Sequence, residues 1–424
     1  MPKKKSPSYI KRNTSSLTSV LIGLLFISIL VFAGFCFIKK QVISNDLSKI
    51  LEQNWNAYTQ DKPNFEGGLA IQILSPKGDY FISTGMGKGM NSSYHFRTAS
   101  VSKTFTAAAI MLLQQKGLLN IDDKITDTIP NTTNPYLPET EDYNVPYKNE
   151  ITIKMLLMHR AGIWDVSNNN VPENTFSYNK PYVGQSYLRY MEKYDPNYTF
   201  TFDELTGVVA RNQLSFFRPG SAYHYSDTGY SMLGKIIERV SQKSYAQYIK
   251  EELLVPNGLT NTMVVVDGSD QDLPTPFAKG YDWADGQIEE VTRSNMSPHV
   301  AEGSVYTTPG DLAKWAVRLF TGQAGLTKET VQVMMDSCMS TGGESTTAGS
   351  YGLGLLCSKN GYGHNGAHEG YLSNMVYNPK TGVAYVIFTN IWNCQTCATD
   401  LESIKGELNE MNEISNKLLQ KLGY

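Results

Sequence analysis

Phe96-Arg97-Thr98-Ala99-Ser100-Val101-Ser102-Lys103-Thr104-Phe105-Thr106-Ala107 is the stretch on which the reading of this chain turns. From Ser100 to Lys116 small and apolar residues recur at helical spacing, and the run stops at Gly117. A helix is therefore expected to begin at or just before Ser100. A serine and a lysine three positions apart share one face of such a helix and lie within reach of each other. A serine hydroxyl is a poor nucleophile until a neighbouring base takes its proton, and a lysine amine can do so only where its surroundings lower its pKa. The helix N-terminus also favours the negative charge that develops during attack. Ser-x-x-Lys alone arises about once by chance in a chain of this length, so its weight comes from what surrounds it.

On the N-terminal side, Gly67-Gly68 opens two apolar runs, Leu69 to Leu74 and Tyr80 to Ser83, separated by Pro76-Lys77-Gly78-Asp79, the pattern of a β-hairpin. On the C-terminal side, helical stretches (Ile151–Met158, Asp203–Asn212, Gly229–Ser241, Ala246–Leu254) alternate with Pro-, Asn- and Tyr-rich loops, notably 129–150 and 165–200. Asp311–Thr321 and Lys328–Cys338 read as helices; Tyr351–Ser358, Met375–Asn378 and Val383–Thr389 read as strands. In the final segment Leu401, Ile404, Leu408, Met411, Leu418 and Leu422 form an apolar helical stripe suited to a sheet face, interrupted by Ser415. The expected architecture is an α/β sandwich whose sheet draws on both ends of the domain, with a mostly helical lobe inserted between them.

The Phe96–Ala107 run resembles the active-serine segment of class C β-lactamases and D,D-peptidases, the serine β-lactamase and penicillin-binding-protein family. The likeness continues through Gly117–Asp123, Ile151–His159, Pro219-Gly220, Gly234–Glu238, Pro256–Leu259, Glu302–Tyr306 and Thr308–Ala313, spanning about residues 65 to 395 with the two long loops as insertions. It implies a β-lactamase/transpeptidase-like fold, an antiparallel sheet flanked by helices, with Ser100 as nucleophile. The family's Tyr-x-Asn is matched by Tyr225-Ser226-Asp227. By this resemblance Tyr225 shares acid and base duty with Lys103, its phenol made ionisable by the nearby ammonium. Asp227 in place of Asn is a departure: a carboxylate there would hold Lys103 protonated and repel anionic substrates.

Lys380-Thr381-Gly382 imitates the family's Lys-Thr-Gly, but Asn378-Pro379 ahead of it has turn chemistry and would point Lys380 into solvent. His364-Asn365-Gly366 is the better match, resembling the His-x-Gly variant of family peptidases and esterases. Gly366 would admit substrate to the strand backbone, and the N–H of Ala367 would join that of Ser100 in an oxyanion hole. His368 is a candidate for support behind these residues. No His-Glu-x-x-His or other metal motif, dinucleotide fingerprint or phosphate-binding loop occurs, and no cofactor is expected.

Residues 1–40 hold seven Lys or Arg and no acid, leaving 30 basic against 40 acidic residues in the remainder, which disfavours nucleic acid as a partner. Leu17 to Ile38 is an uncharged run of 22 residues, enough as a helix to cross a hydrocarbon core of roughly 30 Å. Lys3, Lys4, Lys5, Lys11 and Arg12 precede it, so the positive-inside bias places the N-terminus in the cytoplasm. The expected plan is a basic cytoplasmic tail (1–16), a transmembrane anchor (17–38), a stalk or first helix (39–60) and an extracellular hydrolase domain (61–424). A cleavable signal at Val31-Phe32-Ala33 is the rival reading, and Phe35 argues against lipidation of Cys36. Cys338, Cys357, Cys394 and Cys397 would lie where disulfides persist, with three pairings open; Cys394-Gln-Thr-Cys397 is a weak redox signal.

The resemblance implies acyl transfer through Ser100 on D-alanyl groups of the bacterial cell envelope, with a D-alanyl-D-alanine carboxypeptidase acting on peptidoglycan stems as the default. His364 for a cationic Lys, and Asp227, leave little to hold a terminal carboxylate and favour a substrate with a free amine: a D-alanyl ester of teichoic acid or the amino end of a D-peptide. A D-aminopeptidase, a general carboxylesterase and a β-lactamase are alternatives of the same fold; a non-catalytic cell-wall binding or assembly module is the alternative of another class.

Overall fold

The computed structural model describes residues 1–5, 14–173, 175, 179–343, 349–393 and 401–424. The chain opens with α1 (Thr14–Thr59), the hairpin β1 (Leu69–Ser75) and β2 (Gly78–Thr84), and a short β3 (Phe96–Arg97). A 3-10 turn, Ala99–Ser102, leads into α2 (Lys103–Gln115). Helices dominate the next stretch: α3 (Ile153–Leu157), α4 (Tyr187–Tyr194), α5 (Phe202–Asn212), α6 (Asp227–Ser241) and α7 (Tyr245–Ile249). Short strands β4 (Met263–Val264), β5 (Tyr281–Ala284), β6 (Gln287–Glu290) and β7 (Val305–Thr307) precede α8 (Pro309–Phe320) and α9 (Lys328–Asp336). The remainder supplies β8 (Met339–Ser340), β9 (Ser350–Tyr351), β10 (Leu356–Ser358), β11 (Gly361–His368), β12 (Tyr371–Asn378), β13 (Val383–Thr389), β14 (Ile391–Asn393) and α10 (Leu401–Lys421).

The main sheet has eight antiparallel strands in the order β2-β1-β13-β12-β11-β10-β9-β8. The N-terminal hairpin thus adds beside β13, as expected from the two ends of the domain. Alternation along the strands sends successive side chains to opposite faces. Met375, Tyr377, Ala384, Val386 and Phe388 face the large core under α2, α6 and α8. Leu372, Val376, Tyr385 and Ile387 face a second core under α1 and α10.

In that second core Leu47, Leu51 and Trp55 of α1 are buried, so of the stalk or first helix expected at 39–60 the structure has a helix packed into the domain. Leu408, Met411, Leu418 and Leu422 of α10 are buried as the stripe predicted, and Ser415 is accommodated by donating to the Met411 carbonyl at 2.8 Å. Among the described residues no helix is long and apolar enough to cross a membrane, and the side chains of much of the 17–38 stretch, Cys36 included, lie outside them. Cys338 and Cys357 form a disulfide that ties the chain before β8 to β10; Cys394 and Cys397 lie outside the described residues.

Candidate active site

The sequence from Thr98 to Lys103 folds as it does because its backbone is pinned from several sides. Thr98 Oγ1 donates to the Val305 carbonyl at 2.7 Å, the Val305 N–H donates to Ser102 Oγ at 3.1 Å, and Ser373 Oγ of β12 donates to the Thr98 carbonyl at 2.7 Å. Ala99 is held at φ +47°, a left-handed conformation that costs a non-glycine residue on the order of 1 kcal/mol and is tolerated where surroundings over-determine it. The result lifts Ser100 onto the first turn, partly exposed, while Lys103 is fully buried behind it. Lys103 Nζ donates to Ser100 Oγ at 3.0 Å, so the predicted i, i+3 pair forms.

Ser226 caps α6 by accepting from the Gly229 N–H, which brings its two neighbours to the same place. Asp227 Oδ1 lies 2.6 Å from Lys103 Nζ, and Tyr225 presents its ring 4.7 Å from that ammonium. Lys103 Nζ also donates to the Glu302 carbonyl at 3.1 Å and lies 3.6 Å from Glu302 Oε2. Burial works to discharge Lys103, but Asp227 and then Glu302 outweigh it, and its pKa is raised. The resting site therefore holds an ammonium, as expected from Asp227.

The expectation for Tyr225 is corrected. Burial, and after it the charge of Asp227, push the phenol well above its usual range, and Ser100 offsets only part of this. Its hydroxyl is buried with no hydrogen-bond partner at ordinary distance among the described residues. Tyr225 is a protonated phenol aimed at the serine rather than a phenolate base.

His364 is corrected as well. Its side chain is 2% exposed, Nε2 pairs with the Tyr351 hydroxyl at 2.9 Å and Nδ1 with the Asn365 carbonyl at 2.5 Å. Burial, with the charge of Lys103, pulls its pKa down to about 3, so the ring is neutral and sits behind the site instead of facing substrate. Gly366 takes the place expected of it: a Cβ there would come 2.9 Å from the Ser100 nitrogen and 2.2 Å from the Thr98 carbonyl oxygen. β10 pairs with β11 only as far as Gly363, so the β11 edge from His364 onward has no strand neighbour on that side among the described residues. Ala367 follows, half-buried, its side chain packed toward the α1 and α10 core. His368 accepts or donates a bond with Ser294 Oγ at 2.9 Å, beside the site. Lys380, as the turn chemistry implied, is exposed after β12.

Several functional residues escaped the reading of the sequence. His159, held at φ +55°, accepts the Ser226 N–H on Nδ1 at 3.1 Å and packs its ring 4.1 Å from Tyr225. Asn168 Nδ2 donates to both Asp165 and Asp227 at 2.8 Å, and burial followed by the Asp227 charge raises the Asp165 pKa to about 8. Glu302 lies in a stretch singled out only for family likeness. Among the described residues no group of three or more His, Cys, Asp or Glu could hold a metal ion. Ser100 lines neither of two cavities: one of about 420 Å³ lies between α10 and β10–β12 and reaches His364, and one of about 660 Å³ lies beside Gly67, Gly85 and Tyr281 of β5.

Residues 76–400 match the family model described as Beta-lactamase. A penicillin-binding protein of Bacillus subtilis (strain 168) is 31% identical over 170 residues, 40% of this chain and 30% of that protein. Protein flp of Staphylococcus aureus (strain MRSA252) is 25% identical over 334 residues, 76% of this chain and 59% of that protein. The chain thus spans less than two thirds of the length of these relatives. Among solved structures, D-amino acid amidase from Ochrobactrum anthropi SV3, complexed with L-phenylalanine amide, superposes with a TM-score of 0.68 at 23% identity, covering 90% of this chain and 98% of that one. A D-stereospecific amidohydrolase from Streptomyces sp. gives 0.65 at 21% identity, covering 84% and 99%. These similarities extend the fold over nearly the whole domain.

Proposed function

The chain belongs to the Beta-lactamase family, and from that premise we propose that it hydrolyses D-alanyl amides or esters of the bacterial cell envelope, with preference for substrates that carry a free amine next to the scissile carbonyl. The observation that carries this reading is the buried 2.6 Å contact between Lys103 and Asp227. Ser100 forms a bond to the carbonyl carbon only as its proton leaves, and the natural recipient, Lys103, already holds its full complement. An arriving ammonium offers Asp227 a second partner. By sharing that carboxylate it weakens the hold on the Lys103 proton, which is lost to bulk water as the substrate binds, and the lysine, now neutral, accepts the proton of Ser100. The N–H groups of Ser100 and Ala367 then receive the oxyanion, Tyr225 or Lys103 protonates the departing amine or alkoxide, and water releases the acyl group by the reverse path.

A substrate ending in a carboxylate finds less here. His364, which stands where relatives of this type carry a cation, is neutral, and Asp227 is of the wrong sign. The D-amino acid amidase likeness agrees with an amine-bearing substrate, and teichoic acid D-alanyl esters and D-peptide amino ends share that chemistry. The apolar run 17–38 and the basic residues before it support placing this domain outside a membrane, anchored through residues 17–38. Incubation of the purified protein with a panel of D-alanyl amides and esters, read by mass spectrometry of an acyl adduct on Ser100 with Ser100→Ala as control, tests the reading. Release of D-alanine from pentapeptide stems but not from D-alanylated teichoic acid would overturn the substrate assignment; absence of any adduct, and of labelling by a fluorescent phosphonate, would point to a binding module.

A further inference from the structure

Lys103 has two carboxylates within reach, yet only one of them touches it. Asp227 lies at 2.6 Å and the Glu302 carboxylate at 3.6 Å, although the Glu302 side chain is 3% exposed and has nowhere outside the protein to go. What restrains it is His299. The His299 carbonyl accepts three successive N–H groups, from Glu302 at 3.1 Å, Gly303 at 2.8 Å and Ser304 at 2.9 Å, which folds the chain back under its own ring. In that turn His299 Nδ1 meets Glu302 Oε1 at 2.5 Å. Gly303 allows the fold, since a Cβ there would come 3.3 Å from the Cβ of His299.

We propose that His299 is a positioning residue for this site: by holding one oxygen of Glu302 it keeps the other from closing on Lys103, so that the ammonium is shared with one carboxylate rather than two. The inference rests on the acyl-transfer reading of Ser100 and Lys103. A second close carboxylate would bind the lysine proton still more tightly, and no amine on the substrate could neutralise both. His299 supplies that neutralisation from within the fold.

The groups facing His299 are consistent with this role. Glu302 stands on its own turn, Glu192 faces it from α4, Asp227 acts on it from α6, and His368 of β11 lies with its ring 5.7 Å away. Burial disfavours the imidazolium, but the charge and hydrogen bond of Glu302 prevail and raise its pKa to about 9. His368, by contrast, is held well below its usual range, first by burial and then by the His299 charge, and adds no second cation. Below pH 9 His299 is therefore charged, and the carboxylate it holds is neutralised.

The test is the pH dependence of Ser100 phosphonylation by a fluorophosphonate probe in the full chain, in three variants. His299→Asn keeps a donor near the Nδ1 position but removes the charge; it unmasks Glu302 and should move the acid limb of the rate profile up by about 1 pH unit. Glu302→Gln removes the carboxylate and should move the limb the opposite way. In the double variant His299→Asn should add no shift to that of Glu302→Gln, because its effect passes through the missing carboxylate. Shifts of the two single variants in the same direction, or a His299→Asn shift of equal size with and without Glu302, would overturn the proposal. Should the Asn variant not fold, the Glu302→Gln shift decides: a move to lower pH supports it and an unmoved limb overturns it. A wild-type chain whose Ser100 is not phosphonylated would instead overturn the acyl-transfer reading, and this inference with it.

Discussion

Replacing Asp227 by Asn should speed the enzyme on neutral esters while erasing the proposed preference for amines. The change keeps the shape of the side chain and an oxygen for Lys103 or Asn168, but removes the charge 2.6 Å from the buried ammonium. Lys103 then keeps Ser100 Oγ at 3.0 Å, the Glu302 carbonyl at 3.1 Å and a carboxylate at 3.6 Å. An opposite charge at such range ordinarily moves a pKa by about 1–3 units, so its loss should lower that of Lys103 by roughly 2. Each unit corresponds to about 1.4 kcal/mol and a tenfold larger population of neutral amine wherever the ammonium still predominates. The burst of p-nitrophenol from p-nitrophenyl acetate, followed from pH 5 to 9, should therefore be about 10- to 100-fold faster in Asp227→Asn on the acid side of the profile, with the limb displaced downward. D-Alanine p-nitrophenyl ester, whose ammonium already relieves the wild type, should gain much less. An equal or slower burst in a variant whose thermal unfolding matches the wild type would refute the reasoning, because Asp227 would then be a proton acceptor in the reaction rather than a hold on Lys103.

Removing the Cys338–Cys357 disulfide as the double Ser variant frees a loop of sequence separation 19, and the chain-entropy estimate gives a loss of about 3 kcal/mol in unfolding free energy, measurable by denaturant titration. Tyr351→Phe leaves His364 Nε2 without its 2.9 Å partner and should cost about 1–3 kcal/mol in the same titration. Glu407 is buried in α10, accepts the Asn393 N–H at 2.9 Å, and burial raises its pKa from 4.5 to about 8. Its proton is bound more tightly in the folded than in the unfolded chain, so this contribution is complete below pH 4.5 and is lost as pH rises through 8, at about 1.4 kcal/mol per unit. Glu407→Gln should accordingly flatten the fall in Tm between pH 5 and 9; an unchanged slope would show that Glu407 is not its source.

What could be read in the sequence was what local chemistry controls. The Ser100–Lys103 pair is three residues apart on one helix face, and the β1–β2 hairpin is punctuated by Pro76 and Gly78; neither needs the rest of the fold to declare itself. Tyr225 and Asp227 were reached through resemblance, and the cap at Ser226 explains their joint placement. β11 was harder, because Gly361, Gly363 and Gly366 give eight residues little strand propensity, and its place in the sheet comes from pairing with β12. Glu302 contacts Lys103 across 199 positions, and no pattern in the chain announces such a pairing. His364 was placed in the right strand but not in its buried setting, since the hydroxyl that meets its Nε2 comes from Tyr351 on β9, two strands away, and no local pattern pairs the two. The choice left open between a stalk and a first helix at 39–60 has a similar cause: Leu47, Leu51 and Trp55 are spaced for a helix face, but the surface they cover is built more than 300 residues later, by β12, β13 and α10.

The charges around Ser100 also account for one another. Lys103 and His299 stand against Asp227 and Glu302, while Asp165, raised to about 8, stays protonated at neutral pH and adds nothing. The buried set is thus close to neutral at rest, which matters because uncompensated charge in a dry site costs several kcal/mol per ion. An anionic substrate would have to disturb that balance with no unpaired cation beside Ser100 among the described residues to receive it, whereas an ammonium would add a charge that Asp227 can share. On the proposed mechanism that sharing lets the Lys103 proton pass to solvent, so the step that admits the substrate would also ready the base. On the proposed mechanism, Asn in place of Asp227 would leave Lys103 ready before the substrate arrives, whereas with Asp227 readiness would depend on the substrate's own charge, which is the basis of the proposed selectivity for aminoacyl groups.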